Sequence, residues 1–160
     1  MSCGRRDFND GMDAPPIDSP AAACIDPPAG CMEPVVYVCG GVCYAKCRQT
    51  VSRAAAAAAC TDWGGCLAVA KTQNANDCAR AQLAGDTAWF GLLQPTSATL
   101  YTADWAWCDG SPATYTSWRA GEPDDNNLSE NSEQNCGVLY PDGSWSDESC
   151  SLNQKFVCSR

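Results

Sequence analysis

The chain has 160 residues, a net charge of −9 and no histidine. The length suits one domain with its own core. The acidic balance argues against a nucleic-acid partner, because a negative surface repels the phosphate backbone, and the lack of histidine removes His-based acid–base catalysis and the common His-containing zinc sites.

Residues 1–30, with "GMDAPPIDSPAAACIDPPAG", are rich in Pro, Asp, Ala and Gly and carry no periodicity. They read as an extended or disordered N-terminal arm, with Cys24 as a candidate pin. The first residues, "MSCGRRDFNDG", hold no hydrophobic stretch of signal-peptide type. No apolar run anywhere approaches the roughly 18 residues of a transmembrane helix. Thirteen cysteines without a repeated CxxC pattern read as a disulfide framework, which places the chain in a secreted or extracellular setting. The count is odd. One thiol is therefore free, joins two chains in a homodimer, or belongs to the arm.

"EPVVYVCGGVCYAKCRQ" is β-branched and aromatic in part, with Gly40-Gly41 as a turn, and predicts one or two short strands. "SRAAAAAACTDW" predicts a helix with Ser52 as N-cap. Its alanines offer little apolar area, so Cys60 is the expected anchor. "GGCLAVAKT" gives a turn and a short apolar segment. A second helix is expected from Asn74, with Asp77 in its first turn and Gly85 as its stop. After that, "TAWFGLLQ", "ADWAWCDG", "YTSW", "CGVLYPDGSWSD" and "KFVCS" read as short strands between long loops. Two helices early and irregular strands late give an α+β fold class. All six tryptophans lie between 63 and 145, as expected of residues packing a small core.

Residues 118–150 hold eight of the nineteen acids against one basic residue, Arg119. So many carboxylates repel one another unless solvent or a cation relieves them. Calcium takes six to eight oxygen ligands, and this stretch offers carboxylates and amides in number. The composition alone leaves a solvated acidic loop and a cation cage equally open. There is no EF-hand spacing.

In their order and spacing, the residues resemble the C-type lectin-like domain, over about 31–160. Trp89-Phe90-Gly91-Leu92 is similar to the family's WIGL core motif. Trp107, Asp109-Gly110-Ser111-Pro112 and Trp118 follow its W-x-DG-x-x-W course. Glu122-Pro123-Asp124 stands at its EPN/QPD position, and Cys136, Trp145-Ser146-Asp147, Cys150 and Phe156-Val157-Cys158 match its closing signature. Cys60, Gly64-Gly65 and Leu67-Ala68 resemble the end of its first helix and the segment after it. The resemblance implies a disulfide-rich C-type lectin-like domain over 31–160, in the long form. It implies the pairs Cys60–Cys158 and Cys136–Cys150, and an N-terminal pair Cys31–Cys43 for which Cys39 is a rival partner. Proximity alone suggests Cys66–Cys78 and Cys39–Cys47.

The resemblance also implies a site where Ca2+ is held by protein oxygens that hydrogen-bond two sugar hydroxyls. The implied ligands are Glu122, Asp124, Gln134, Ser146 and Asp147, around a cis Pro123. Gln134 stands where Glu is usual, and Ser146 where Asn is usual. Asp125, Glu133 and Asn135 are candidate additional calcium ligands, and Asn127-Leu128-Ser129 is a glycosylation sequon. Tyr140 or Trp145 are the candidates for an aromatic face against the sugar. The expected function is calcium-dependent carbohydrate binding without catalysis, galactose-type slightly favoured over mannose-type by loop length. The expected partners are glycans or glycoproteins. The alternatives are a lectin-like protein ligand or structural protein that binds no sugar, and an ice-binding protein on the same fold.

Overall fold

The computed structural model describes residues 24–126, 131 and 134–160. A hairpin opens the fold: β1 (Val35–Cys39) turns through Gly40-Gly41 into the long β2 (Val42–Ser52). Ser52 ends that strand and caps α1 (Arg53–Asp62), its side chain accepting from Ala55 N. This satisfies one of the first-turn donors that a helix leaves unpaired. Only Ala56 and Cys60 of α1 are buried. β3 (Cys66–Leu67) follows, entered through Gly65, where a Cβ would lie 2.1 Å from Ser159 O. Only glycine allows that close approach.

α2 (Gln73–Arg80) starts one residue earlier than expected, because Thr72 caps it by accepting from Ala75 N. It also ends before Gly85, at Arg80. β4 (Ala88–Leu93), β5 (Cys136–Leu139), β6 (Trp145–Glu148) and β7 (Asn153–Ser159) complete the elements. The sheet order is β1-β2-β7-β4-β5-β6, with β3 also on β7. All pairs are antiparallel except β4 with β7. The pieces "ADWAWCDG" and "YTSW" are not strands. They dock through single bridges, Leu93 to Ala106, Ala106 to Pro112 and Trp118 to Trp145.

Strand alternation splits the core in two. One face carries Trp89, Val138 and Phe156 against Ala56 and Cys60 of α1. The other carries Phe90, Leu139 and Val157 with Trp105, Trp107 and Trp145. Trp145 is the hub of the second face. Its ring lies 5.2–5.7 Å from those of Phe90, Trp107, Tyr115 and Trp118. Its Nε1 donates to Asn76 Oδ1 at 2.8 Å, and Asn76 Nδ2 donates to Gly143 O. A buried asparagine of α2 therefore holds the turn before β6.

Among the described residues, six disulfides brace this frame. Cys60–Cys158 and Cys136–Cys150 are formed. The first closes 98 residues, worth about 5 kcal/mol on the chain-entropy account. The other pairings differ from expectation. Cys31 bonds Cys47 rather than Cys43, and Cys43 bonds Cys24. Cys43 and Cys47 share one face of β2, and the segment 24–31 runs along it. Cys39 faces the other way, toward α2, and bonds Cys78. That excludes both Cys39–Cys47 and Cys66–Cys78, and Cys66 bonds Cys108. Every described cysteine is paired; Cys3 lies outside the described residues. Residues 24–30 are tied to the frame, since Trp63 Nε1 donates to Asp26 O and Gln49 Nε2 to Gly30 O.

Lys46 is fully buried. Its ammonium donates to Leu83 O at 2.7 Å and pairs with Asp86 at 2.8 Å, and Lys155 completes the group on the other Asp86 oxygen. Lys155 first, then Lys46, lowers the Asp86 carboxyl to about 2. This partnership allows a charge to sit inside the sheet.

Replacing Asn76 by Ala is expected to cost about 1–3 kcal/mol, since it strands the buried indole N–H of Trp145. Urea unfolding with the disulfides intact measures it. A loss below about 0.5 kcal/mol, within the range of ordinary surface changes, would remove Asn76 from this role.

Candidate functional site

The acidic loop reaches its position in three steps. Arg119 N donates to Trp145 O and Trp145 N to Ser117 O, so 117–119 runs beside the start of β6. Glu122 N then donates to Arg119 O, closing a turn. The Glu122–Pro123 peptide is cis, as a tight turn at proline permits. The chain at 124–126 folds back on β6: Asp147 Oδ1 accepts from Asp124 N at 3.0 Å, and Oδ2 from Asp125 N at 2.8 Å.

These contacts gather carboxylates. Glu122, Asp124 and Asp147 each offer an oxygen within 4.8 Å of the others. Asp147 is 1% exposed, and Glu122 Oε2 is buried without a hydrogen-bond partner. Burial, then a hydrogen bond to Asp147, then the charges of Asp147 and Asp124 push Glu122 up to about 7. Burial and the same two charges also raise Glu148. Burial and the neighbouring carboxylates thus both favour the protonated form of Glu122.

Of the implied ligands, Glu122, Asp124 and Asp147 come together, and Ser146 is beside them. Ser146 Oγ lies 3.2 Å from Asp147 O and also within hydrogen-bond reach of the Glu122 carboxylate. Gln134 follows on the returning chain, its Oε1 buried and unpartnered. Oxygens of this kind suit a hard cation. The carboxylates of Glu122, Asp124 and Asp147 therefore form a candidate seat for a cation.

Asp125 has a different task. It is fully buried, and its Oδ1 and Oδ2 accept from Gln134 N at 2.8 Å and Asn131 N at 2.6 Å. It closes the loop from inside, with backbone φ of 44°, a conformation that Asp tolerates better than most residues. Asn135 is buried and lines a cavity with Gln94. Glu133 and Asn127 lie outside the described residues. Trp145 is fully buried and offers no face to a ligand. Tyr140 is half-buried, with the Arg119 guanidinium 4.1 Å above its ring. Sequence reading missed this Arg119–Tyr140 contact and the burial of Gln94. A lone cation in an acidic stretch signals the first. A glutamine ending an apolar strand signals the second.

A model of the family described as lectin C-type domain matches residues 49–160. The chain belongs to that family. The human C-type mannose receptor 2 is 34% identical over 80 residues, which cover 44% of this chain and 5% of that protein. The human C-type lectin domain family 17, member A is 33% identical over 72 residues, 45% of this chain and 17% of that one. The match thus spans only a small part of these relatives' length. The carbohydrate-recognition domain of the mouse scavenger receptor C-type lectin has a TM-score of 0.68 at 24% identity, covering 81% of this chain and 95% of that one. A calcium-independent type II antifreeze protein has a TM-score of 0.66 at 21% identity, with 81% and 96% covered. Likeness at that identity carries the fold. The C-type lectin domain described here shares one fold with that carbohydrate-recognition domain and with that antifreeze protein. Among the described residues, no helix is long and apolar enough to cross a membrane.

Glu122 sets the pH behaviour of the cation-free domain. Its folded value, about 7, exceeds its ordinary value of 4.5. The folded chain therefore keeps a proton that the unfolded chain releases, and this contribution to stability falls as pH rises from about 4.5 to about 7. Urea midpoints measured in chelator across that window are expected to decline, and Glu122→Gln to flatten the decline. The same slope in the variant would contradict the assignment.

Proposed function

We propose that this domain binds glycans through a calcium ion held by Glu122, Asp124, Gln134 and Asp147, with Ser146 supporting. The observation that carries this reading is the trio of carboxylates within 4.8 Å, closed by two backbone amides on Asp147. A cation relieves their repulsion and takes up the unpartnered oxygens of Glu122 and Gln134. Its remaining coordination positions are open to two neighbouring hydroxyls of a sugar, which the same carboxylates accept from. The domain then binds without chemistry.

Asp124 favours galactose-type over mannose-type hydroxyls in this reading. It offers only acceptors, and Oδ1 already takes Asn126 N at 2.8 Å. The long loop between Glu122 and Cys136 also supports that choice. The Arg119 guanidinium covers the Tyr140 ring, so that ring is not an open aromatic platform. The disulfide content supports a secreted or extracellular setting, with glycans or glycoproteins as partners. An unpaired Cys3 would give a route to a homodimer.

Calorimetric titration is expected to give one calcium ion with a dissociation constant in the range of about 0.1–1 mM, as for extracellular modules. Retention on galactose resin should follow calcium and end with chelator. Asp147→Ala should abolish both. Calcium-independent retention, or unchanged calcium affinity in Asp147→Ala, would overturn the reading.

A further inference from the structure

A groove opens where the start of β2 meets the chain between β3 and α2, with a volume of about 380 Å³. Val42 and Tyr44 of β2 line it with Val69 and Ala75, and Lys71 and Arg160 supply its charge. Val42 is 37% exposed, and Val69 and Ala75 are half-buried, so the groove offers apolar surface that a partner can reach. Among the described residues, no acid lines it, although the chain as a whole carries a charge of −9. Lys71 Nζ donates to Asp109 at 2.6 Å, and an ammonium has donors beyond that one. An occupant that suits this groove pairs an apolar side chain with a carboxylate beside it.

The chain itself carries such an occupant close by. Cys24 bonds Cys43, with 5.4 Å between their Cα atoms, and Cys43 stands between Val42 and Tyr44. Residues 1–23 are therefore tethered next to the groove. From Asp7 to Asp18 they hold four aspartates and no base, the complement of a groove with two cations and no acid. Ile17 is the large apolar residue of this segment nearest to Cys24, and Asp18 follows it directly.

The reach is sufficient. Cys43 packs on the α1 side of the sheet and Tyr44 on the other side, so the segment has to round the end of the first hairpin. The chain from Ile17 to Cys24 spans up to about 25 Å when extended, against the roughly 10 Å that separates packed layers. A tether this short gives an effective concentration on the order of millimolar, so a weak contact suffices. Proline-rich segments such as Pro15-Pro16 also lose less entropy on docking than flexible ones. We propose that this groove is the docking site of the chain's own N-terminal segment, with the Ile17 side chain on Val42, Val69 and Ala75 and the Asp18 carboxylate at the Lys71 and Arg160 rim. The docked segment closes the groove to other peptides. The groove lies at β2 and β7 and the carboxylate cage at β6, with β4 and β5 between them, so the docking is independent of calcium.

Methyl NMR on the full-length chain in chelator tests the proposal, with isoleucine δ1 and valine methyls labelled and Cys3→Ser introduced to prevent disulfide-linked copies. The chain has two isoleucines, Ile17 and Ile25, so the Ile17 signal is readily assigned. Nuclear Overhauser contacts are expected from Ile17 to the methyls of Val42 and Val69, unchanged on dilution from 1 mM to about 50 µM, as an intramolecular contact requires. Ile17→Asp, which lies outside the described fold, should abolish them and shift the Val42 and Val69 signals. Lys71→Glu should speed cleavage within residues 1–23 by proteinase K about threefold, since cleavage tracks the undocked population. The absence of Ile17 contacts overturns the proposal, as do Val42 and Val69 signals that Ile17→Asp leaves in place. Contacts that fade on dilution also overturn it, because they assign the groove to the arm of a second copy.

Discussion

The carboxylate of Asp147 is the constraint on which the site depends. It is buried at the end of the short strand β6, and both its oxygens accept backbone amides, from Asp124 and Asp125. Those two bonds turn a loop of like charges back onto the sheet, against the repulsion of its own side chains. A neutral residue at 147 would ease the repulsion and leave the loop without its latch. The same carboxylate that closes the loop also completes the cluster with Glu122 and Asp124. Loop closure and the gathering of the carboxylates are thus one event here. Burial first, and then Asp147 and Asp124, raise the Glu122 carboxyl.

Asp147 acts from a rigid base. Trp145, two residues earlier, is packed against four aromatic rings and hydrogen-bonded to Asn76 of α2. Cys136–Cys150 ties β5 to the end of β6, so the strand pair cannot splay under the charge of the loop. Asp125 adds an inner clasp, accepting two amides of the returning chain. The alanine-rich α1 contributes little apolar area, and Cys60–Cys158 compensates by joining it to the central strand β7. Cross-links therefore supply stability that a small core lacks, while the aromatic cluster supplies geometry.

Much of this was legible in the residues. Ser52 before an alanine run marked α1, and alternation around Gly40-Gly41 marked the first hairpin. The ordered motifs from Trp89 to Cys158 pointed to the family and to Glu122, Asp124 and Asp147. The N-terminal cysteines were misread because their pairing depends on which face of β2 or β1 each occupies. Cys43 and Cys47 lie on one face and Cys39 opposes them, and spacing along the chain does not report this. The part Asp125 plays inside the loop was hidden for a similar reason. Its oxygens accept the amides of Asn131 and Gln134, a bracing role that spacing along the chain does not report. Gln94 and Asn135 are 41 residues apart in sequence, and only the meeting of β4 and β5 brings them to one cavity.

The central claim is that Glu122, Asp124 and Asp147 form a single cation seat next to the tryptophan cluster. Sensitised terbium luminescence tests it most directly, since Trp118 and Trp145 lie beside the seat and transfer energy to a bound lanthanide. Exciting the tryptophans is expected to give terbium emission that saturates at one ion per chain, falls on adding calcium and is absent in Asp147→Asn. Emission that calcium leaves unchanged, or that persists in Asp147→Asn, would contradict the account.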